Sequence, residues 1–259
     1  MRGLDARLFQ IASLATLLAA NILWFDLGAS WRQSVVTLAS TIGTQALFSH
    51  VYRVRFEWQS ALITGLSLSL LLRSNEPSLW ALAGVLAIGS KFLLRVSGKH
   101  LLNPACFAIV ALLLAGSGHA WVSPGQWGAP IWLALLVAGF GTLVLARSSR
   151  IDTALAFLGC YGLLLLWRAF MLGDPVEIPL HQLQTGGLLI FTCFMITDPR
   201  STPDRRSGRV LFAALAYRLQ FTEQLRTALY LALFAVSLLT PMIDVLLPAA
   251  RFRWRKQEA

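Results

Sequence analysis

Long apolar blocks separated by short polar segments make up most of this chain. The blocks run to roughly 15 to 25 residues, the length that a helix needs to cross a hydrocarbon core of about 30 Å. The first block has no small-residue cleavage site and leads directly into further blocks, so we expect a retained helix and not a signal peptide. The pattern predicts ten membrane-spanning helices, at 8–27, 34–52, 59–72, 78–94, 103–116, 128–146, 153–172, 183–197, 208–221 and 227–247.

The composition agrees with an integral membrane protein. Of the 259 residues, 56% are hydrophobic and only 13% are charged, and the mean hydropathy is +0.65. A soluble domain needs roughly a quarter of its residues charged to cover its surface. We therefore expect one all-α polytopic membrane domain with the lipid bilayer around it and no separate soluble domain.

The net charge of +10 is explained by the placement of the basic residues. With the N-terminus inside, sixteen lysines and arginines fall in segments on the inner side and five on the outer side. Cytoplasmic segments are enriched in basic residues, so this asymmetry predicts that both termini are cytoplasmic. The charge is thus a topology signal, and we expect no nucleic-acid partner.

Ten spans divide into two groups of five, at 1–116 and 128–250, joined by a short extracytoplasmic loop at 117–127 and followed by a basic tail at 251–259. Because five is odd, the second group must cross the membrane in the opposite direction, which is the arithmetic of an inverted repeat. Two short segments, one in each group, begin with similar Thr-Gly motifs at Thr64-Gly65 and Thr185-Gly186. We expect broken helices there. The alternative is that these glycines only permit close helix packing.

Two charged residues within or beside the predicted spans are candidates for function. Lys91 lies in the fourth span, where an ionisable group is costly unless it is paired or hydrated. The alternative is a side chain that extends to the cytoplasmic interface, where Arg95 lies one turn further on. Asp198 ends the eighth span before a proline, where a carboxylate typically accepts backbone N–H bonds in a turn. It could also position a ligand.

Asn103 precedes Pro104 at the start of the fifth span, which is a favourable capping arrangement. Its amide also offers two donors and an acceptor, as the edge of a heterocyclic ring requires. His100, three residues earlier, could join it. The three cysteines form no paired motif, and no two histidines are placed for haem ligation at mid-span.

Three motifs give the chain a resemblance to a known family. They are Ser60-Ala61-Leu62-Ile63-Thr64-Gly65-Leu66, then Lys91 through Asn103-Pro104-Ala105, and Phe194-Met195-Ile196-Thr197-Asp198-Pro199 followed by Gly208-Arg209. In order and spacing these motifs resemble those of RnfD, a membrane component of the Rnf electron-transport complex, and of NqrB, its counterpart in the sodium-pumping NADH:quinone oxidoreductase. The resemblance implies an inverted five-plus-five fold shared with urea channels, flavin cofactors, and a bacterial inner membrane location.

The resemblance also implies particular flavin contacts. The family joins FMN to a threonine of a D-G-x-S-x-A-T motif in the loop between spans five and six. The loop at 117–127 has no threonine, so we expect no covalent flavin. A second, non-covalent flavin contacts an N-x-x-N-P motif, which corresponds here to His100 and Asn103-Pro104. The implied cofactor-binding set is Lys91, His100, Asn103, Thr64, Gly65, Thr185, Gly186, Thr197 and Asp198.

The resulting expectation is a membrane electron-transfer subunit that holds a non-covalent flavin (riboflavin or FMN) among other membrane subunits of a larger complex. Two alternatives stay open, because a fold does not by itself define a function. One is a channel or transporter for a small neutral solute, similar to a urea channel. The other is a structural subunit without cofactors. The sequence shows no metal site and no Walker, Rossmann, hydrolase or kinase motif.

Overall fold

The computed structural model describes residues 5–25, 28–115, 118–123, 131–223 and 227–252. Several of the predicted segments are therefore covered only in part, among them the loop and the tail. Residues 117 and 124–127 of the predicted extracytoplasmic loop lie outside the described residues. So do residues 253–259 of the predicted basic tail.

The first half of the chain forms five long helices. Each helix coincides with a predicted span, and two of them begin at a proline, which suits the first helical turn because its N–H would have no intrahelical partner. The helices are α1 (Ala6–Ala20, continued by a π-helical turn at Asn21–Phe25), α2 (Trp31–Val51), α3 (Trp58–Leu71), α4 (Pro77–Leu93) and α5 (Pro104–Ala115).

The second half is helical too, but it is more interrupted. A short helix ends at Leu183, where the predicted eighth span begins, and the span itself consists of a helix that starts at Gly186 and a π-helical turn at Phe191–Met195. The helices are α6 (Ile131–Ser148), α7 (Ile151–Leu172), α8 (Glu177–Leu183), α9 (Gly186–Ile190), α10 (Arg206–Glu223), α11 (Ala228–Ser237) and α12 (Thr240–Leu246).

Two small antiparallel sheets add to the helical architecture. Strand β1 (Leu72–Ser74) pairs with β4 (Ala120–Val122), and β2 (Arg95–Val96) pairs with β3 (Lys99–His100). The turn of the second pair is Ser97-Gly98, and both residues have positive φ, as a two-residue hairpin turn requires. The hydropathy pattern did not predict these strands. Their effect is to hold His100 against the end of α4.

Helix length and apolarity identify fewer clear membrane spans than the ten predicted. Among the described residues, Arg7–Trp24 and Ile151–Leu172 are each long and apolar enough to cross a bilayer. The predicted tenth span is a pair of helices, α11 and α12, bent by 46°, and it counts as a third span if the pair is taken together. Five shorter apolar helices occupy other predicted spans. The fold is therefore mostly helical, and the ten crossings and the inverted repeat stay predictions.

Helix α2 shows how the helices pack in an apolar surrounding. Its buried face is polar, and apolar side chains such as Val35 and Leu47 are exposed. Ser40 Oγ donates a hydrogen bond of 2.6 Å to the Ala81 carbonyl of α4. Gly84 of α4 packs so closely against Ser40 that a β-carbon there would clash. Small residues and interhelical hydrogen bonds of this kind are typical of packing between membrane helices.

Candidate functional site

A buried polar pocket lies where α3, α4, β3 and the start of α5 meet the π-helical turn that follows α9. The pocket is partly open, and its volume is about 70 Å³. Six of the nine predicted site residues line it, although they come from five separate stretches of the chain. These are Thr64, Lys91, His100, Asn103, Thr197 and Asp198, and Ser60, Ser148 and Arg200 line it with them.

Lys91 is held inside the protein and does not extend to the interface. The residue is only 3% exposed. Its ammonium Nζ donates to Gln45 Oε1 of α2 at 2.8 Å and to Ser60 Oγ of α3 at 3.0 Å. No carboxylate of a described residue lies within ion-pair distance of Nζ. Since an ammonium group has three donors, one N–H stays available to a ligand in the pocket.

His100 is the most unusual group in the pocket. It is 5% exposed, and neither ring nitrogen makes a hydrogen bond of normal geometry to a described residue. Burial is the main cause that lowers the pKa of His100 to about 3, and the positive charges of Arg200, Lys91 and Arg95 lower it further. A hydrogen-bonding contact with the Lys91 backbone has a smaller effect in the opposite direction. His100 is therefore a neutral imidazole at physiological pH, with one nitrogen as donor and the other as acceptor. Buried polar atoms without partners are rare, and they indicate a place for a ligand or water.

His100 lies outside the predicted spans. Its burial predicts that the free energy of unfolding depends on pH. Because its pKa is about 3 in the folded protein and about 6.5 when unfolded, the unfolded state binds more protons between these values. Stability should therefore fall as pH drops below about 6.5, by up to about 1.4 kcal/mol per pH unit from this group. The His100→Phe variant should show a shallower fall in melting temperature from pH 6.5 to 4.5. Parallel curves for the two proteins would contradict this assignment.

Asn103 caps helix α5 and also links the two halves of the chain. Its Oδ1 accepts a hydrogen bond of 3.0 Å from the Cys106 backbone N–H, as a helix cap does. Its Nδ2 donates longer bonds to the Met195 carbonyl at 3.4 Å and to Asp198 Oδ2 at 3.3 Å. Helix capping and contact with a heterocyclic ring, the two expected roles, therefore compete for the same amide group. In this arrangement only the second lone pair of Oδ1 is unused, which is less than a full ring-edge contact.

We expect Asn103→Ala to lower the free energy of unfolding by about 1–2 kcal/mol. About 1 kcal/mol comes from the lost cap, and the remainder comes from the two longer bonds to the second half of the chain. Asn103→Ser is the matched control, because serine caps a helix as well as asparagine does but lacks the amide donors. Melting curves in detergent should therefore place the serine variant between the wild type and the alanine variant. Equal losses for both variants would show that capping contributes nothing.

Asp198 forms the turn that closes the pocket. Its Oδ1 accepts from the Arg200 backbone N–H at 3.1 Å, and its Oδ2 accepts from Ser201 Oγ at 3.1 Å. Thr197 donates its hydroxyl hydrogen to the Cys193 carbonyl at 2.8 Å. The carboxylate therefore satisfies local backbone and side-chain donors, as the motif Thr197-Asp198-Pro199 predicts. Asn103 adds a contact to Asp198 from the first half of the chain.

Three predicted site residues do not line the pocket. Gly65 packs against Leu38 and Thr41 of α2, where a β-carbon would approach within 3 Å of both side chains. Thr185 precedes α9 and donates its hydroxyl to the Gln182 carbonyl, and Gly186 is buried at the start of the same helix. Gly65 therefore serves helix packing, and the similarity of the two Thr-Gly motifs does not place both at one site.

The structure also places around the pocket further residues that the sequence pattern did not indicate, and of these Ser60 and Arg200 line it. Gln45 and Ser60 hold the Lys91 ammonium group, and Arg200 forms an ion pair of 3.1 Å with Glu57. Burial disfavours the charged form of Glu57, but the charge and hydrogen bonds of Arg200 outweigh this and lower the pKa of Glu57. The ion pair thus joins the start of α3 to the loop after the π-helical turn.

A second ionic cluster anchors the loop that follows Asp198. Lys99 Nζ lies 2.7 Å from Asp244 Oδ2 and 3.1 Å from Asp204 Oδ2, and it donates to the Thr202 carbonyl at 2.8 Å. The Asp204 backbone N–H in turn donates to Asp244 Oδ1. These contacts connect β3, which carries His100, to the loop and to α12. The pocket is therefore held in shape by residues outside it.

Buried arginines complete this anchoring. Arg150 is 3% exposed, and it donates to the Pro199 and Pro203 carbonyls. Burial is the main cause that lowers the pKa of Arg150 to about 10. Arg209 forms a bidentate ion pair with Asp152. The loop at 197–205 is thus fixed from α7, α10 and β3.

The pocket matches a flavin in chemistry but not in size. His100 and Lys91 offer donors and an acceptor of the kind that the polar edge of the ring system needs, and Asn103 Oδ1 offers one further lone pair. However, about 70 Å³ is the space of a few water molecules, while pockets for drug-sized ligands enclose about 300 Å³ or more. In this conformation the three rings of a flavin do not fit.

The described structure defines a helical membrane protein with a buried polar pocket at the junction of its two halves. Residues 119–253 match the model of the NQR2, RnfD, RnfE family. The chain is also 30% identical to the RnfD protein of Stutzerimonas stutzeri, a component of an ion-translocating oxidoreductase complex, in an alignment that covers 71% of this chain and 73% of that protein. The chain belongs to the NQR2, RnfD, RnfE family, and the predicted resemblance is confirmed.

Proposed function

We propose that this chain is a membrane subunit of an ion-translocating oxidoreductase complex and that its buried polar pocket contacts a non-covalent flavin. The observation that carries the proposal is the convergence of six predicted residues on one pocket, which contains a buried imidazole whose nitrogens make no hydrogen bond of normal geometry to a described residue. Membership of the family and the name of the relative support the place in such a complex.

The proposed flavin contact rests on the groups that this pocket leaves unsatisfied. His100 provides a donor and an acceptor, and Lys91 provides a spare N–H and a positive charge. A bound flavin would supply the redox chemistry, and the protein would supply its position and electrostatic surroundings. Because the enclosed space is small, binding requires the elements around the pocket to move apart. The ion pair between Arg200 and Glu57 joins two of these elements.

The proposal also includes the membrane location of the chain and its neighbouring subunits. The basic asymmetry supports an inner membrane location with both termini in the cytoplasm. The exposed apolar faces of the helices are available to lipid or to other membrane subunits. Helix α7 offers the clearest such face, with Leu163 and Phe170 more than 70% exposed.

One observation favours a second candidate function. A pocket of about 70 Å³ is large enough for a small neutral solute, for which hydroxyl and amide groups are suitable partners. Transport of such a solute would also need a continuous path through the membrane. This candidate function accounts for the pocket volume without any movement of the helices around the pocket.

Purification of the tagged chain from its own membranes in mild detergent tests these proposals. The first predicts that other membrane subunits co-purify with the chain and that denaturant releases a flavin from it. The second predicts a colourless protein that purifies alone and that speeds urea influx into proteoliposomes in light-scattering measurements. That second result would overturn the proposed electron-transfer role.

A further inference from the structure

An open groove lies at the end of α2, on the outside of the protein and separate from the polar pocket. Its volume is about 540 Å³. It is lined by Ala46, Ser49, His50, Arg53, Val54 and Phe56. The groove therefore combines apolar walls with hydroxyl, imidazole and guanidinium groups in one place.

The surface around the groove has the character of a membrane–water interface. Val51, Val54 and Phe56 are each more than 40% exposed, although basic residues lie between them in the chain. The predicted second span, 34–52, ends in the last turn of helix α2, so this turn is predicted to lie near the headgroups. Mixed aromatic and basic segments are typical of that depth.

The charge of Arg53 is not compensated by the described part of the protein. No described carboxylate lies within ion-pair distance of its guanidinium group, and Glu57, a nearby acid in the sequence, is paired with Arg200. Arg55, two residues further on, is also exposed and has no ion pair among the described residues. The groove therefore presents net positive charge beside apolar surface, which complements a lipid with an anionic headgroup.

The backbone conformation at Arg53 is a second, independent indication of a ligand-binding position. Its φ of 51° ends helix α2 in the left-handed conformation, which favours glycine or asparagine. The Val54 backbone N–H donates to the Ser49 carbonyl at 3.0 Å and closes this turn. Arginine thus occupies a position at which glycine would be less strained. Retained strain of this kind is commonly found at ligand-binding positions.

A rigid aromatic cluster supports one side of this segment. The rings of Phe48, Tyr52 and Phe92 lie 5.2 to 5.9 Å apart between centroids. The cluster joins the last turns of α2 and α4. The cluster packs the helical end of the groove-forming segment against α4.

We propose that this groove is a binding site for an anionic phospholipid. Arg53 and His50 contact the phosphate, and Ala46, Val54 and Phe56 pack against the glycerol and the first methylenes of the acyl chains. This site does not depend on the proposed flavin contact, because none of its residues lines the polar pocket.

A lipid titration of the purified full chain in detergent tests the proposal. Phosphatidylglycerol should raise the melting temperature in a saturable way, and phosphatidylcholine should do so much less. Arg53→Gln should raise the half-saturating concentration of phosphatidylglycerol about fivefold, the effect of one basic residue near a membrane surface. Arg53→Lys should retain most of the binding, because it retains the charge and has a similar backbone preference.

Arg205→Gln is the matched control, since Arg205 is an exposed arginine that does not line the groove. It should titrate like the wild type. Equal half-saturating concentrations for Arg53→Gln and the wild type would overturn the proposal. Equal stabilisation by glycerophosphoglycerol, which carries the headgroup without acyl chains, would show an anion site and would likewise contradict a lipid site.

Discussion

His100→Phe is expected to lose the bound flavin without losing stability. The two ring nitrogens of His100 are buried and make no hydrogen bond of normal geometry to a described residue. Replacing such a group by an apolar ring of similar shape is close to neutral or stabilising for the protein. A flavin that bonds to those nitrogens would lose about 1–3 kcal/mol, which is a drop in affinity of roughly five- to more than a hundredfold.

Two further variants make this prediction specific to the pocket. Thr192→Val removes another buried hydroxyl without a partner among the described residues, but Thr192 does not line the pocket. This variant should keep its flavin. His100→Gln restores one donor and one acceptor and should recover part of the binding. Flavin content and melting temperature are measured on the same preparations. If His100→Phe lowers the melting temperature and keeps its flavin, His100 is a structural residue.

Lys99→Met is expected to cause the largest loss of stability. The Lys99 ammonium group lies between the carboxylates of Asp204 and Asp244, whose side chains are 6% and 21% exposed. Without the lysine, two partly buried carboxylates face each other with no cation. Breaking a buried ion pair from one side typically costs about 3–5 kcal/mol. We therefore expect a loss of about 3 kcal/mol or more in the free energy of unfolding.

A combined variant separates charge from packing in this cluster. In Lys99→Met with Asp204→Asn and Asp244→Asn, no carboxylate of the cluster is left without a partner, so much of the lost stability should return. Chemical denaturation in detergent measures both proteins. If the triple variant is no more stable than Lys99→Met alone, the methylene packing of Lys99, and not its charge, accounts for the loss.

The sequence predicted the helices better than the contacts between them. Apolar length placed a helix within each of the ten segments, because burying backbone groups in lipid demands helices. It did not predict the break in the last span, where α11 and α12 are bent by 46°. Nor did it predict strands β2 and β3, since their pairing depends on the positive φ values of Ser97 and Gly98.

Six of the nine predicted site residues line the pocket, and the errors have physical reasons. Thr64 and Gly65 were proposed together, but adjacent residues of an α-helix point about 100° apart, so only one of the two could face the pocket. Gln45 was missed because its importance comes from a contact with Lys91, 46 positions away. The available signal was a polar residue within a predicted span, and Gln45 shares it with the other polar residues of α2.

The central claim is that the polar pocket contacts a non-covalent flavin in a membrane electron-transfer subunit. The most direct test is the flavin content of the wild-type chain, purified in mild detergent without added flavin and then denatured. We expect denaturant to release flavin in proportion to the folded protein, with none left attached to the polypeptide. A folded, monodisperse protein that releases no flavin, even after incubation with riboflavin and FMN, would contradict the claim.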